Sequence, residues 1–145
     1  MNLVIPKPPS INHIYGYTSR GGFARSYITK EGKQFFADAT AIIKDFVSKN
    51  NAKTHIEEID GELVVNITLY TRRNQDIDNI IKPVLDVISG VCMECGTKHS
   101  ARKQCDCGKN ESILEDDRFI TELSVKKVKI KSPEEERVEI NIKGW

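Results

Sequence analysis

Arg72-Arg73-Asn74-Gln75-Asp76-Ile77-Asp78-Asn79-Ile80-Ile81-Lys82-Pro83-Val84-Leu85-Asp86 decides how the chain is read. The stretch opens basic, turns acidic, and then enters an apolar pattern of helical spacing. Ahead of it, Leu63, Val65, Ile67 and Leu69 alternate with Val64, Asn66, Thr68 and Tyr70, which predicts a strand with one apolar face. Behind it, Ile80, Ile81, Val84, Leu85 and Ile88 predict a helix stopping at Ser89-Gly90. Pro83 removes a helical hydrogen bond, so either a short first turn precedes it or the helix kinks there. The acidic residues thus lie at a strand-to-helix junction. Asp76 and Asp78 leave an extended segment on one side. Lys82, four residues after Asp78, shares its helical face. Close carboxylates repel unless a cation lies between them, and hard oxygen ligands suit Mg²⁺. The same residues have a structural reading, in which an aspartate caps the helix and Lys82 and Asp86 form an exposed i,i+4 pair.

A second acidic cluster, Glu115-Asp116-Asp117, precedes another strand-like run. The central motif, Asp76-x-Asp78-Asn79-x-x-Lys82-Pro83-x-x-Asp86, joined to Asp116-Asp117, resembles the RusA family of Holliday junction resolvases. The opening Pro6-x-Pro8-Pro9-Ser10-x-Asn12 and the aromatic, basic stretch after it are similar to that family too. The resemblance implies an intertwined homodimer that cuts branched DNA. It implies Asp76, Asp78, Asp116 and Asp117 as Mg²⁺ ligands, and Asp76, Asp78, Asp117 and Lys82 as catalytic. Each subunit is expected to carry its own complete site.

At 145 residues the chain has the size of one domain, 1–145, with enough length for a proper core. Charged residues make up 30% and the formal net charge is +1, so any affinity for nucleic acid must come from local charge distribution. The sequence has no apolar run of membrane-spanning length. Met1-Asn2-Leu3-Val4-Ile5-Pro6 lacks the basic flank and apolar centre of a signal peptide, so a cytoplasmic location with reduced thiols is expected.

Leu3-Val4-Ile5 reads as a short strand ended by prolines. From Tyr15 to Tyr27, aromatics are interleaved with Arg20 and Arg25, and Gly21-Gly22 marks a turn. That composition suits phosphates and unstacked bases; equally it suits a hairpin whose aromatics pack on the body. Thr29 is placed to cap a helix over 30–49, in which Phe35, Ala39, Ile42, Ile43, Phe46 and Val47 recur at helical spacing. Arg72 and Arg73 are expected to steer a DNA backbone.

From Glu94 to Ser112 there is no bulky aliphatic or aromatic residue. The insert, 92–112, carries Cys92-x-x-Cys95 and Cys105-x-Cys107, two knuckles that fit a structural Zn²⁺ site whose binding supplies folding energy. Disulfides or unliganded thiols are the alternatives, and His99 is either a substitute ligand or, as its position favours, part of the tip. Its tip, with Lys98, Arg102 and Lys103 and no acid, either touches phosphate or is simply solvated. A short turn replaces such an insert in the RusA pattern.

Phe119 to Ile130 predicts a strand whose apolar parity shifts between Leu123/Val125 and Val128/Ile130, implying a bulge or burial on both faces. After a turn at Ser132-Pro133, Val138, Ile140 and Ile142 predict a last strand, paired with its predecessor as an antiparallel hairpin. The expected fold is α/β (α+β), a small mixed sheet with two main helices in the order β-α-β-α-(zinc insert)-β-β. Two other functions stay open. One is a non-catalytic, zinc-containing DNA-binding protein. The other is a Mg²⁺-dependent nuclease on flaps or single strands.

Overall fold

The computed structural model describes residues 1–50, 63–89, 113–114 and 117–144. It is an α+β fold built on a mixed four-stranded sheet. Strand β1 (Asn2–Pro6) leads to a single helical turn, α1 (Ile11–Ile14), and then to β2 (Tyr15–Arg20) and β3 (Phe23–Ile28). Helix α2 (Lys30–Asn50), strand β4 (Leu63–Thr71) and helix α3 (Asp78–Ile88) follow. After a 3-10 turn at Asp117–Phe119 come β5 (Ile120–Lys129) and β6 (Arg137–Lys143).

The sheet order is β1-β6-β4-β5. β6 pairs antiparallel with both β1 and β4, and β5 runs parallel to β4. The expected hairpin of the last two strands does not form, because β4 separates them. A strand-helix-strand unit, β4-α3-β5, accounts for this arrangement: the helix carries the chain back so that the next strand runs in the same direction. Side-chain chemistry agrees. Val138, Ile140 and Ile142 are fully buried, as a central strand requires. β5 carries Lys126, Lys127 and Lys129 and buries none of its residues, in keeping with an edge. Burial of β5 on both faces is therefore overturned, and its register shift lies opposite Leu63/Val64, earlier than the parity change suggested.

One face of the sheet is apolar and covered. Leu3, Ile5, Leu63, Val65, Ile67 and Leu69 meet Phe35, Phe36, Ala39 and Ile43 of α2 and Ile80, Val84, Val87 and Ile88 of α3 in one buried cluster. The opposite face presents half-buried Asn66, Thr68 and Tyr70 from β4 and Glu139 and Asn141 from β6. Thr29 caps α2 as its sequence position predicts, its hydroxyl accepting the Gly32 N–H at 3.1 Å. Helix α3 continues through Pro83 to Ile88. It ends at Ser89, whose N–H donates to the Leu85 carbonyl at 3.0 Å. Among the described residues no helix is long and apolar enough to cross a membrane.

Candidate functional site

Strand β4 delivers the chain into a tight turn at 72–77. Thr71, buried at the strand end, exchanges hydrogen bonds with the next residue but one: its hydroxyl donates to the Arg73 carbonyl at 3.3 Å and accepts the Arg73 N–H at 3.2 Å. Lys127, opposite Leu69 on β5, reaches across the turn with its ammonium. It donates to Asn74 Oδ1 at 3.3 Å and to the Gln75 carbonyl at 3.0 Å. The turn is thus held at both ends before the chain reaches Asp76.

Asp76 and Asp78 are exposed, and among the described residues neither accepts a hydrogen bond nor forms an ion pair. Ile77, not an aspartate, occupies the N-cap position of α3, and no side chain caps it. The capping reading of the two aspartates therefore fails at this helix. What the turn presents is a pair of uncompensated carboxylates beside the positive end of a helix. Such groups favour a bound cation and offer hard oxygen ligands to Mg²⁺.

Lys82 behaves differently. Its ammonium donates to Asp86 at 3.4 Å (Oδ1) and 3.2 Å (Oδ2). Asp86 is only 3% exposed, so the pair is more than a surface contact. Tyr15, at the start of β2, donates its hydroxyl to Asp86 Oδ2 at 3.0 Å. Burial, together with the Asp86 charge, pushes the Tyr15 phenol well above its ordinary pKa.

Arg72 and Arg73 also part company. Glu136, just before β6, accepts the Arg72 backbone N–H at 3.0 Å and lies 3.7 Å from its guanidinium. The same oxygen accepts Lys7 at 3.3 Å. These contacts, the Arg72 N–H foremost, hold the Glu136 carboxyl below its usual range. Arg73 is exposed and its side chain is unpaired, so it is the arginine available to a phosphate.

No protein-family model matches the chain, and no curated protein matches it either. The site must be read from its own geometry.

That geometry divides the acidic set. Asp117 lies at the far end of the β4-α3-β5 unit from Asp76 and Asp78. The parallel register sets Leu63 opposite Ile120 and Thr71 opposite Lys129, so Asp117 is near the start of β4 while Asp76 follows its end. Ile113 and Leu114 donate their N–H groups to the carbonyl of Ile88, at the C-terminus of α3. Asp78 opens that helix, whose 11 residues at ~1.5 Å each span about 16 Å. Among the described residues no three His, Cys, Asp or Glu side chains form a metal-sized group. Among the described residues of one chain, Asp76, Asp78 and Asp117 are thus not brought together. Asp116, the four cysteines Cys92, Cys95, Cys105 and Cys107, His99, and the basic tip residues Lys98, Arg102 and Lys103 lie outside the described residues.

The aromatic stretch is a hairpin, β2 pairing with β3 across Gly21-Gly22. Both glycines have positive φ, 62° and 81°, as a two-residue turn of this kind requires. Tyr15 packs against the core at the base of the hairpin, but the other aromatics do not: Tyr17 is 79% exposed, Phe23 73% and Tyr27 52%. Register puts Tyr27, Arg25, Phe23 and Arg20 on one face, with Tyr27 opposite Gly16. Any side chain at Gly16 would collide with the Tyr27 ring, so glycine lets the ring lie flat on the strand. Arginines alternating with exposed rings make a surface suited to phosphates and unstacked bases. The sequence signal for this face was the spacing of the aromatics; their exposure became legible only with the pairing register.

Proposed function

We propose that this protein is a Mg²⁺-dependent endodeoxyribonuclease acting on branched DNA, the four-way junction foremost, as a homodimer. The observation that carries the reading is the pair Asp76 and Asp78, exposed and without any partner, on a turn clamped by Thr71 and Lys127. Neither carboxylate caps the helix, and neither is paired among the described residues. The RusA-like wording of the stretch supports the same assignment.

Two carboxylates are a thin ligand set, and the third, Asp117, is beyond reach in one chain. A second copy would supply it. β5 begins three residues after Asp117, is an edge strand, and leaves Phe119 and Leu123 partly exposed. An isologous dimer through that region would create two equivalent sites, each with Asp76 and Asp78 from one chain and Asp117 from its mate. Two sites related by a two-fold axis match the two equivalent strands of a junction. Mg²⁺ held there would lower the pKa of a bound water and offset charge building on the phosphate.

The chain's own residues supply the rest. Arg73 binds backbone phosphate, and the hairpin face with Arg20, Arg25, Phe23 and Tyr27 receives unpaired nucleotides at the branch. Lys82 stands one helical turn beyond Asp78, oriented by Asp86. Asp78→Asn tests the assignment, because it removes charge while keeping shape. Junction cleavage collapses, whereas junction binding persists or tightens as a negative charge leaves the DNA-facing side. Cleavage at the normal rate by both Asp78→Asn and Asp117→Asn would return the carboxylates to a structural role.

A further inference from the structure

A cleft of about 450 Å³ opens beside the clamped turn, and neither the carboxylates nor the hairpin uses it. It lies between the proline-rich segment after β1, the 72–75 turn and the Pro133–Glu136 segment. Its volume is that of a site for a small organic group. Two features of its wall point to a ligand. Arg73 contributes an unpaired guanidinium. Gln75, which also lines it, has a buried side-chain oxygen with no hydrogen-bond donor among the described residues.

A buried acceptor without a donor is costly, and Gln75 has little freedom to escape. Its carbonyl is held by Lys127, and its N–H donates to the Arg73 carbonyl at 3.1 Å. The neighbouring cations do not remedy the deficit, since Lys7 and Arg72 are committed to Glu136. Glu136 and Glu31 line the same cleft, so a ligand's negative charge is tolerated only at Arg73 and the rest of the ligand must be uncharged. The prolines supply apolar ring surfaces. The matching ligand has a planar apolar face, an N–H donor at its edge and a phosphate attached, which describes a nucleotide.

We infer that the cleft seats one unpaired nucleotide next to the cut, and that Gln75 sets the base preference there. This rests on the nuclease reading above. The base lies against the proline rings, an exocyclic amino group donates to Gln75 Oε1, and the phosphate meets Arg73. Adenine, cytosine and guanine carry such an amino group and thymine does not. Gln75 directly precedes Asp76, so a nucleotide in the cleft adjoins the phosphate held at the carboxylates.

The test measures binding and cutting separately. A set of four-way junctions carries each of the four bases in turn at each position flanking the crossover. Binding is read by fluorescence anisotropy in the Asp78→Asn background, and cutting by the unsubstituted chain with Mg²⁺. At one position thymine should weaken binding about tenfold relative to the preferred amino-bearing base. Gln75→Leu should shrink that ratio to below about twofold, while Gln75→Glu, which keeps an acceptor, should retain it. Base-independent binding at every position, or a ratio unchanged by Gln75→Leu, overturns the inference even if cutting is normal. A Gln75-dependent preference without any Mg²⁺-dependent cutting would uphold the cleft and sink the nuclease reading. Absence of binding to any junction would overturn both.

Discussion

Two individually inactive variants should restore each other if the acidic set is shared between chains. Asp78 and Asp117 lie toward opposite ends of a helix about 16 Å long. Two ligands on one Mg²⁺ lie within about 4 Å of each other, given metal–oxygen distances of ~2.0–2.1 Å. No side-chain rotation in a folded chain closes that difference, so in the proposed site Asp78 would come from one chain and Asp117 from another. In a mixed dimer of Asp78→Asn with Asp117→Asn, one composite site then carries both substitutions and the other carries neither. Random reassortment of equal amounts makes about half the dimers mixed, each with one intact site. About a quarter of wild-type sites should therefore return. The assay mixes the two variants, exchanges subunits under mild denaturant, and maps cuts on end-labelled junction strands. Single-strand nicks should appear only after exchange. If each chain held a complete site, every site in the mixture would carry one substitution, and no activity would return at any ratio. That result would refute the composite site.

Two further expectations are independent of the shared site. Protein purified reduced and without chelators should carry about one zinc per chain if Cys92, Cys95, Cys105 and Cys107 form a tetrahedral thiolate site; elemental analysis showing none would discard it, and Cys95→Ser should lose the metal while leaving the β4-α3 turn intact by hydrogen exchange. Glu136 is held below the ordinary glutamate value of 4.5 by the Arg72 N–H, with Lys7 adding to it. Its contribution to stability is accordingly full above that value and lost as pH falls through the lower folded value. Glu136→Gln should thus flatten the acid limb of a thermal-melting series below about pH 4.5 and change its slope little at neutral pH; parallel acid limbs would rule the network out as a source of stability.

Most of the architecture was legible because period and position agreed. The alternation from Leu63 to Leu69 fixed both the strand and its buried face, and Thr29 fixed the start of α2. What escaped was neighbourhood. Ser132-Pro133 is good turn chemistry, and two strands joined by a turn invite a hairpin. The preceding helix outweighed it, since a strand-helix-strand passage brings the second strand back parallel to the first. Lysines in β5 and an unbroken buried alternation in β6 were the available signals for which strand takes the edge. The division of the acidic set has the same origin. Asp76 and Asp117 read as partners along the sequence, yet a strand-helix-strand unit places its first loop and its second at opposite ends.

The Lys82-Asp86-Tyr15 cluster limits what substitution at Lys82 can reveal. In the sequence, Lys82 and Asp86 look like an exposed i,i+4 pair; in the fold, Asp86 is buried and, among the described residues, its side chain is bonded by Lys82 and Tyr15. Removing one partner of a buried charge destabilises far more than the pair contributes, because the remaining charge is left without compensation. Lys82→Ala therefore perturbs α3 at the same time as it removes a candidate catalytic ammonium. A loss of cleavage in that variant alone cannot be read as loss of transition-state stabilisation. In Asp86→Asn the buried charge is gone before Lys82 is touched, and the tyrosine still has an oxygen to bond. Whatever activity Lys82→Ala then costs in the Asp86→Asn background belongs to the ammonium itself, and the difference between the two backgrounds measures its structural share.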